Sequence, residues 1–315
     1  MSVGAPSEPS RLDFPPLNCS LCRPLGDYYQ DFLPALELVE TGYHGTLDAR
    51  GVPRVRIGDT GERYLPVAIA QYALANASAL IRGDRARTRP LKVLCDWLVD
   101  NQRMETEYAG LWMMDFDNVK YPWLQSPWAS ALAQGNAISA LLRAAELLGD
   151  QRYADAALAG YHALHGAGSP LLLVRESGDE LWYEEYPARE ALHVLNGHVY
   201  TLFGILDVAR TFGEPGALDR WRRGARTLAA RLRDFDLGYW SAYDLRTKEP
   251  VGTHYHKNIH IPQLRILGIL DGDPIFDQVA DRWERYLSSV VARLRCAFAM
   301  RRNGLRRRLR ASLRL

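Results

Sequence analysis

From residue 64 onward the chain alternates two kinds of apolar pattern. Four strongly apolar runs each carry one side-chain amide near their start: Gln71 in AIAQYALANASAL, Gln134 in ALAQGNAISALLRA, Asn196 in HVLNGHVYTLFGIL and Gln263 in HIPQLRILGIL. These amides stand 63, 62 and 67 residues apart. Between them, residues 91–101, 152–164, 217–233 and 275–294 are amphipathic at the helical period, the last two heavily charged on one face. In the third apolar run, Leu195, Val199, Leu202, Leu206 and Ala209 form one buried stripe, which leaves Asn196 and Tyr200 near the helix start. Inner and outer helices repeating at this interval predict stacked helical hairpins. The fold class expected is mainly α, an incomplete (α/α) toroid of about four helical hairpins whose inner-helix starts ring a cleft. A plain helical solenoid is the competing reading.

Residues 1–63 break this pattern. The first 26 are rich in Pro and Ser and read as an irregular lead-in. Gly42, Gly45, Gly51, Gly58 and Gly61 then punctuate the β-prone pieces GTLDA and VPRVRI, which predicts a small β-hairpin. The organisation expected is a lead-in with short β elements at 1–63, a helical unit at 64–290 and an arginine-rich tail at 291–315. With 47% hydrophobic and 24% charged residues, the composition is that of a globular protein. No apolar run approaches the roughly 18 residues that span a bilayer. The N-terminus lacks the charged start and apolar core of a signal peptide, and four cysteines are too few for a disulfide framework here, so a cytoplasmic setting is expected.

Charge is unevenly placed. Residues 291–315 hold nine arginines and no acid, so a net charge of +2 leaves the first 290 residues at −7. The tail, interleaved with Leu294, Phe298, Leu305, Leu309 and Leu313, reads either as a solvated, poorly ordered terminus or as an arm for a membrane surface or polyanion.

Three segments concentrate groups that move protons: Tyr183-Glu184-Glu185-Tyr186-Pro187, Ser241-Ala242-Tyr243-Asp244-Leu245-Arg246, and Tyr255-His256-Lys257-Asn258-Ile259-His260. Pro187 forces Tyr186 into extended backbone, so Glu184–Tyr186 are expected on a loop ahead of the third inner helix. Each group also has a structural reading: a packed tyrosine with a bonded hydroxyl, a surface ion pair of Arg246 with Asp244, amides that link helices. Cys19 and Cys22 have zinc-knuckle spacing without a second pair, and His256 and His260 lack the glutamate of a metallopeptidase helix, so no metal site is expected. No phosphate-cradling glycine loop or nucleophile elbow is present, and no nucleic-acid partner is expected.

The stretches YLPVAIAQYALA (64–75), WASALAQGNAISALLRA (128–144), LWYEEYP and VLNGHVYTLFGILD (181–207), YDLR (243–246), YHKNIHIPQL (255–264) and DPIFDQVADRWERYL (273–287) together resemble, in order, the C-terminal catalytic region of the D-glucuronyl C5-epimerases. Two departures stand out: a much shorter β portion, and three residues between His256 and His260 where two are expected. The resemblance implies a β region followed by an (α/α) toroid, and conversion of D-glucuronate to L-iduronate within heparosan-type glycans without a cofactor. It implies Tyr186, Tyr243 and Tyr255 as proton-transfer residues, with Glu185 supporting or sharing that role. Arg246 would pair the substrate carboxylate; His256, His260 and Asn196 would bind or polarise it or the hydroxyls; Gln71, Tyr72, Gln134 and Trp128 would line the cleft. A homodimer is a candidate assembly.

The chemistry suits these residue types. The C5 proton lies beside a carboxylate and is very weakly acidic, so the dianionic enediolate needs a cation or strong donors. Inversion then needs a second proton donor on the opposite face. A uronate lyase, a glycoside hydrolase using Glu184 or Glu185 with Asp244, and a non-enzymatic carbohydrate-binding protein are the alternatives on the same scaffold.

Overall fold

The structure, a computed structural model, describes residues 24–312 except 41, 43, 44, 59, 60, 106 and 166–171. Side chains are described as far as residue 305. The Cys19/Cys22 pair and Leu309 onward, as side chains, lie outside that description. With 59% helix and 10% strand, the chain is mainly α.

The predicted hairpins are all present. Helix α1 (Pro34–Glu40) and a three-stranded antiparallel meander, β1 (Gly45–Leu47), β2 (Pro53–Arg56) and β3 (Glu62–Tyr64), precede them. Gly45 pairs with Val55 and Arg54 with Tyr64, so the expected hairpin carries a third strand. The first hairpin joins α2 (Pro66–Ile81) to α3 (Thr88–Asp100), and the second α4 (Ala131–Leu148) to α5 (Gln151–His165). Between them lies a two-stranded pair, β4 (Met113–Met114) with β5 (Trp128–Ala129). Strands β6 (Val174–Ser177) and β7 (Glu180–Tyr183) form a second ribbon that the periodicity did not predict. The third hairpin is α6 (Leu195–Phe212) with α7 (Ala217–Arg231). A short helix α8 (Thr253–Tyr255) and a π-turn at His256–His260 lead into the fourth, α9 (Ile261–Asp271) with α10 (Pro274–Ser288).

Burial separates the two helix types as their patterns require. Residues 131–144 of α4 and 195–210 of α6 are buried on every face, whereas α7 buries only the side holding Trp221, Ala225 and Leu228. α2 packs on α4 and α4 on α6. The α4–α6 approach is close because both partners are glycines: a Cβ at Gly135 would lie 2.5 Å from Thr201 Cα, and one at Gly204 2.5 Å from the Gly135 carbonyl. α4 and α6 both stop at a left-handed glycine, Gly149 (φ 69°) and Gly213 (φ 62°).

A buried polar network ties the segment ahead of α1 to these inner helices. Arg143 pairs with Asp207 at 2.6 Å, both essentially without solvent exposure. Asp207 also accepts from Ser139 (2.6 Å) and from the Tyr29 hydroxyl (2.7 Å), and Tyr28 donates to Asn136 (3.1 Å).

Two expectations change at the C-terminal end. The helix expected over 275–294 breaks at Ser289, whose extended backbone (φ −81°, ψ 115°) closes α10. The residues read as either a poorly ordered terminus or an arm form α11 (Val290–Ser312). Its Ala292, Cys296 and Ala299 are buried, Cys296 against Trp240 and Val251, and that seat is what a tail without tertiary contacts would lack. No helix among the described residues is long and apolar enough to cross a membrane.

Candidate active site

Two backbone pairings bring the chemistry-bearing segments together. The chain leaves β7 at Glu184, whose N–H donates to Leu173 and whose carbonyl accepts from Ala131 at the start of α4. The Glu184 side chain is fully buried, accepts the His193 N–H (3.0 Å), pairs with the His193 ring (3.0 Å) and lies 3.9 Å from Arg175. Glu184 therefore pins the 184–193 loop. Val194 bridges Asp244, and Leu195 N–H donates to the Tyr243 carbonyl, which lays the Tyr243 segment along the start of α6.

The result is a compact carboxylate–phenol cluster. Tyr243 donates its hydroxyl to Glu185 Oε1 at 3.1 Å, and the Tyr186 and Tyr243 oxygens are 3.2 Å apart. With the Tyr243 hydrogen committed to Glu185, its oxygen accepts from Tyr186. Tyr255 meets Tyr243 edge-on, ring centroids 6.3 Å apart, and Tyr121 meets Tyr186 edge-on at 4.8 Å. Lys120 Nζ lies 3.3 Å from the Tyr243 ring centroid. Glu185 Oε2, although buried, has no hydrogen-bond partner among the described residues. The carboxylate fits only because residue 197 is glycine, where a Cβ would sit 2.7 Å from Glu185 Cβ.

Electrostatics set the protonation states. Burial raises the Glu185 carboxyl above the ordinary carboxylate range, against the opposing pull of the nearby Tyr186 and Tyr243 hydroxyls and of Lys120. Burial, then the Glu185 charge, pushes the Tyr186 and Tyr243 phenols well above 10, and Tyr255 also rises. At neutral pH the three phenols are donors, and the carboxylate is the group able to accept.

Glu185 and Tyr255 open onto a cavity of about 780 Å³ that Gln71, Tyr72, Asn196 and Tyr200 also line. The starts of all four inner helices reach it, through Gln71, Leu132, Asn196 and Pro262. Tyr255 also lines a smaller cavity of about 310 Å³ with Lys120, Tyr243, Glu249, Met300 and Asn303. One phenol thus borders both spaces.

Other residues expected at the cleft have different surroundings. Gln134 is fully buried and donates to the Trp112 carbonyl at 3.1 Å, just ahead of β4, so its amide is taken up in packing. Trp128 donates to the Phe116 carbonyl and packs 5.9 Å from the Tyr186 ring, behind the cluster and away from this cavity. Arg246 turns outward to Glu190 (2.5 Å) and is 45% exposed; Asp244 is instead closed on Thr247. His256 and His260 both meet Ser241 Oγ through Nδ1, at 2.7 and 2.9 Å, in the packing between Trp240 and Trp283. Burial lowers His256 to about 4 and His260 to about 3, so both rings are neutral. The three residues between them occupy the π-turn, the geometry by which a helix absorbs one extra residue. Among the described residues no three His, Cys, Asp or Glu side chains converge as metal ligands.

Sequence reasoning passed over Lys120 and Tyr121. Both sit in the irregular 115–127 loop, where no periodicity marks a residue as inward-facing. Tyr200, which the stripe argument leaves near the α6 start with Asn196, lines the cavity one turn on from it.

Fold and site define a mainly helical protein that seats a buried carboxylate among phenols at a cavity wall. The chain belongs to the D-glucuronyl C5-epimerase C-terminus family, which matches residues 106–285. A D-glucuronyl C5-epimerase of Caenorhabditis elegans is 30% identical over 213 residues, 61% of this chain and 34% of the relative. An uncharacterized protein of Methanocaldococcus jannaschii is 26% identical over 179 residues, 55% of this chain and 56% of the relative. The chain thus spans about a third of the nematode protein's length and just over half of the archaeal one's.

Proposed function

We propose that the protein is a uronyl C5-epimerase that converts D-glucuronate to L-iduronate within a glycan. The observation that carries this is the Glu185–Tyr243–Tyr186 cluster, with Lys120 over Tyr243, whose Glu185 opens onto a cavity large enough for sugar residues. The four hairpins are read as an incomplete (α/α) toroid, supported by the inner-helix starts that share the cavity. Residues 64–290 are the catalytic unit in this reading.

Glu185, made more basic by burial, takes the C5 proton directly or through Tyr243, which passes its own hydrogen to the carboxylate as it receives the new one. Lys120 offsets charge that builds on the substrate carboxylate, the role first given to Arg246. Tyr255 delivers a proton to the opposite face of C5, and its phenolate is then reprotonated from water. Every step is a proton transfer, and the sequence of steps calls on no cofactor. Gln71, Tyr72 and Asn196 hold sugar hydroxyls.

The hydrolase alternative is disfavoured because Glu184 and Asp244 are occupied in holding their own loops. Incubating glucuronate-containing oligosaccharides with the protein in D2O tests the proposal. Deuterium should appear at C5 with no chain cleavage and no unsaturated product. Absence of exchange on heparosan-like, chondroitin-like and alginate-like substrates overturns it.

A further inference from the structure

The arginine-rich helix α11 carries a feature that the site does not use. One face packs on the body of the protein through Ala292, Cys296 and Ala299. At 100° per residue, Val290, Val291, Leu294, Phe298 and Leu305 fall within an arc of about 100° on the opposite side. All five are exposed, between 59% and 69% of their surface. Arg301 lies within the same arc, Arg302 at its edge, and no acidic residue occurs from 291 to 315. The helix lies wholly outside the family match, which ends at residue 285.

We propose that this face of α11 docks on an anionic lipid surface. An apolar stripe bordered by arginines is the pattern of a helix that lies in the headgroup plane, with its apolar side chains below and its guanidinium groups among lipid phosphates. A second copy of the chain fits the stripe poorly, because pairing α11 with itself sets two sets of arginines side by side with no acid between them. A soluble polyanion would engage the arginines and leave Leu294 and Phe298 in water. The helix also borders the reaction site: Met300 and Asn303 line the smaller cavity with Lys120, Tyr243 and Tyr255.

Co-sedimentation of the full chain with vesicles tests this without reference to catalysis. The chain should sediment with vesicles of phosphatidylcholine and phosphatidylglycerol in equal parts, and much less with pure phosphatidylcholine. Added salt should weaken the binding. The Leu294→Glu, Phe298→Glu double variant should bind at least about tenfold more weakly with an unchanged thermal midpoint, since both side chains point to solvent. Equal binding by that variant overturns the proposal, as does equal binding to neutral vesicles. A concentration-dependent dimer in sedimentation equilibrium, abolished by the same substitutions, would assign the stripe to a second copy. Retention on a soluble polyanion without vesicle binding would assign the helix to that partner.

Discussion

Tyr243 and Glu185 are joined by a 3.1 Å hydrogen bond across 58 residues of sequence, and Tyr186 completes the chain of donors behind them. The bond couples the acceptor to a donor in contact with it, so either residue can meet the substrate while the other stores the proton. Tyr243→Phe and Glu185→Gln should each slow C5 deuterium exchange by about 10²–10⁴-fold while leaving the helical circular dichroism intact. Retention of full exchange by both variants would remove this pair from the mechanism.

Lys120 separates the present reading from the one the sequence suggested. It is the cation that opposes the rise of the Glu185 carboxyl, and it lies over the Tyr243 ring, whereas Arg246 is drawn to exposed Glu190. Lys120→Met should cost about 10²-fold in kcat/KM, and Arg246→Met much less. Lys120→Arg should recover part of the loss, because the charge is kept and its geometry altered. Steady-state kinetics on a glucuronate oligosaccharide decide between the two cations.

Gly197 is a test of how tightly the carboxylate is held. A methyl at this position would sit 2.9 Å from Glu185 Oε2 as well as 2.7 Å from its Cβ. Gly197→Ala should therefore displace Glu185 from Tyr243 and lower exchange by at least about tenfold, because proton transfer depends steeply on donor–acceptor geometry. Thermal unfolding, which reads the helix as a whole, should move far less than it does for Gly135→Ala, where the methyl meets the backbone of α6.

The hairpins were legible because burial on one face or on all faces writes itself into composition, and the amides at 71, 134, 196 and 263 do lie within the first two turns of the four inner helices. The convergence of Tyr186, Glu185, Tyr243 and Tyr255 was legible as residue types in recognisable segments. Which groups face the cavity was not. His256, His260 and Gln134 are held by Ser241, Trp283 and Trp112, partners that only tertiary packing supplies. Lys120 was silent for the converse reason, since a lysine in an aperiodic loop looks solvated until the loop is folded over a ring.

The Arg143–Asp207 pair is expected to dominate the stability of the inner layer. Asp207→Ala would leave the guanidinium of Arg143 buried without its carboxylate and remove the acceptor for Ser139 and Tyr29. Loss of one partner from a buried pair costs about 3–5 kcal/mol. Urea denaturation should register a fall of that size with the slope unchanged. A change under about 1 kcal/mol would mean that water or a neighbouring group replaces the carboxylate.

Acid should destabilise the protein earlier than carboxylate titration alone would predict. His198 lies between the Tyr183 N–H and the Gly224 carbonyl, and burial lowers it to about 3. His256 gives its Nε2 hydrogen to Trp283 and accepts from Ser241 at Nδ1, so Ser241 in turn accepts from His260. Protonation of His256 breaks that order. In the unfolded chain these imidazoles titrate near 6.5, whereas the folded values lie at about 3 to 4. Between those limits the unfolded state binds more protons, so stability falls with pH, beginning near 6.5 and levelling below about 3. Glu185, raised in the folded state, works the other way: its ionised form is disfavoured on folding, and that cost is relieved as pH drops. With His165, which burial also lowers to about 4, four imidazoles stand against the raised Glu185 and Asp271 carboxyls, a net loss of up to about 1.4 kcal/mol per pH unit for each imbalance of one proton. Urea midpoints measured from about pH 7.5 to 5 should decline steadily, and a flat profile over that window would show that these histidines keep access to water.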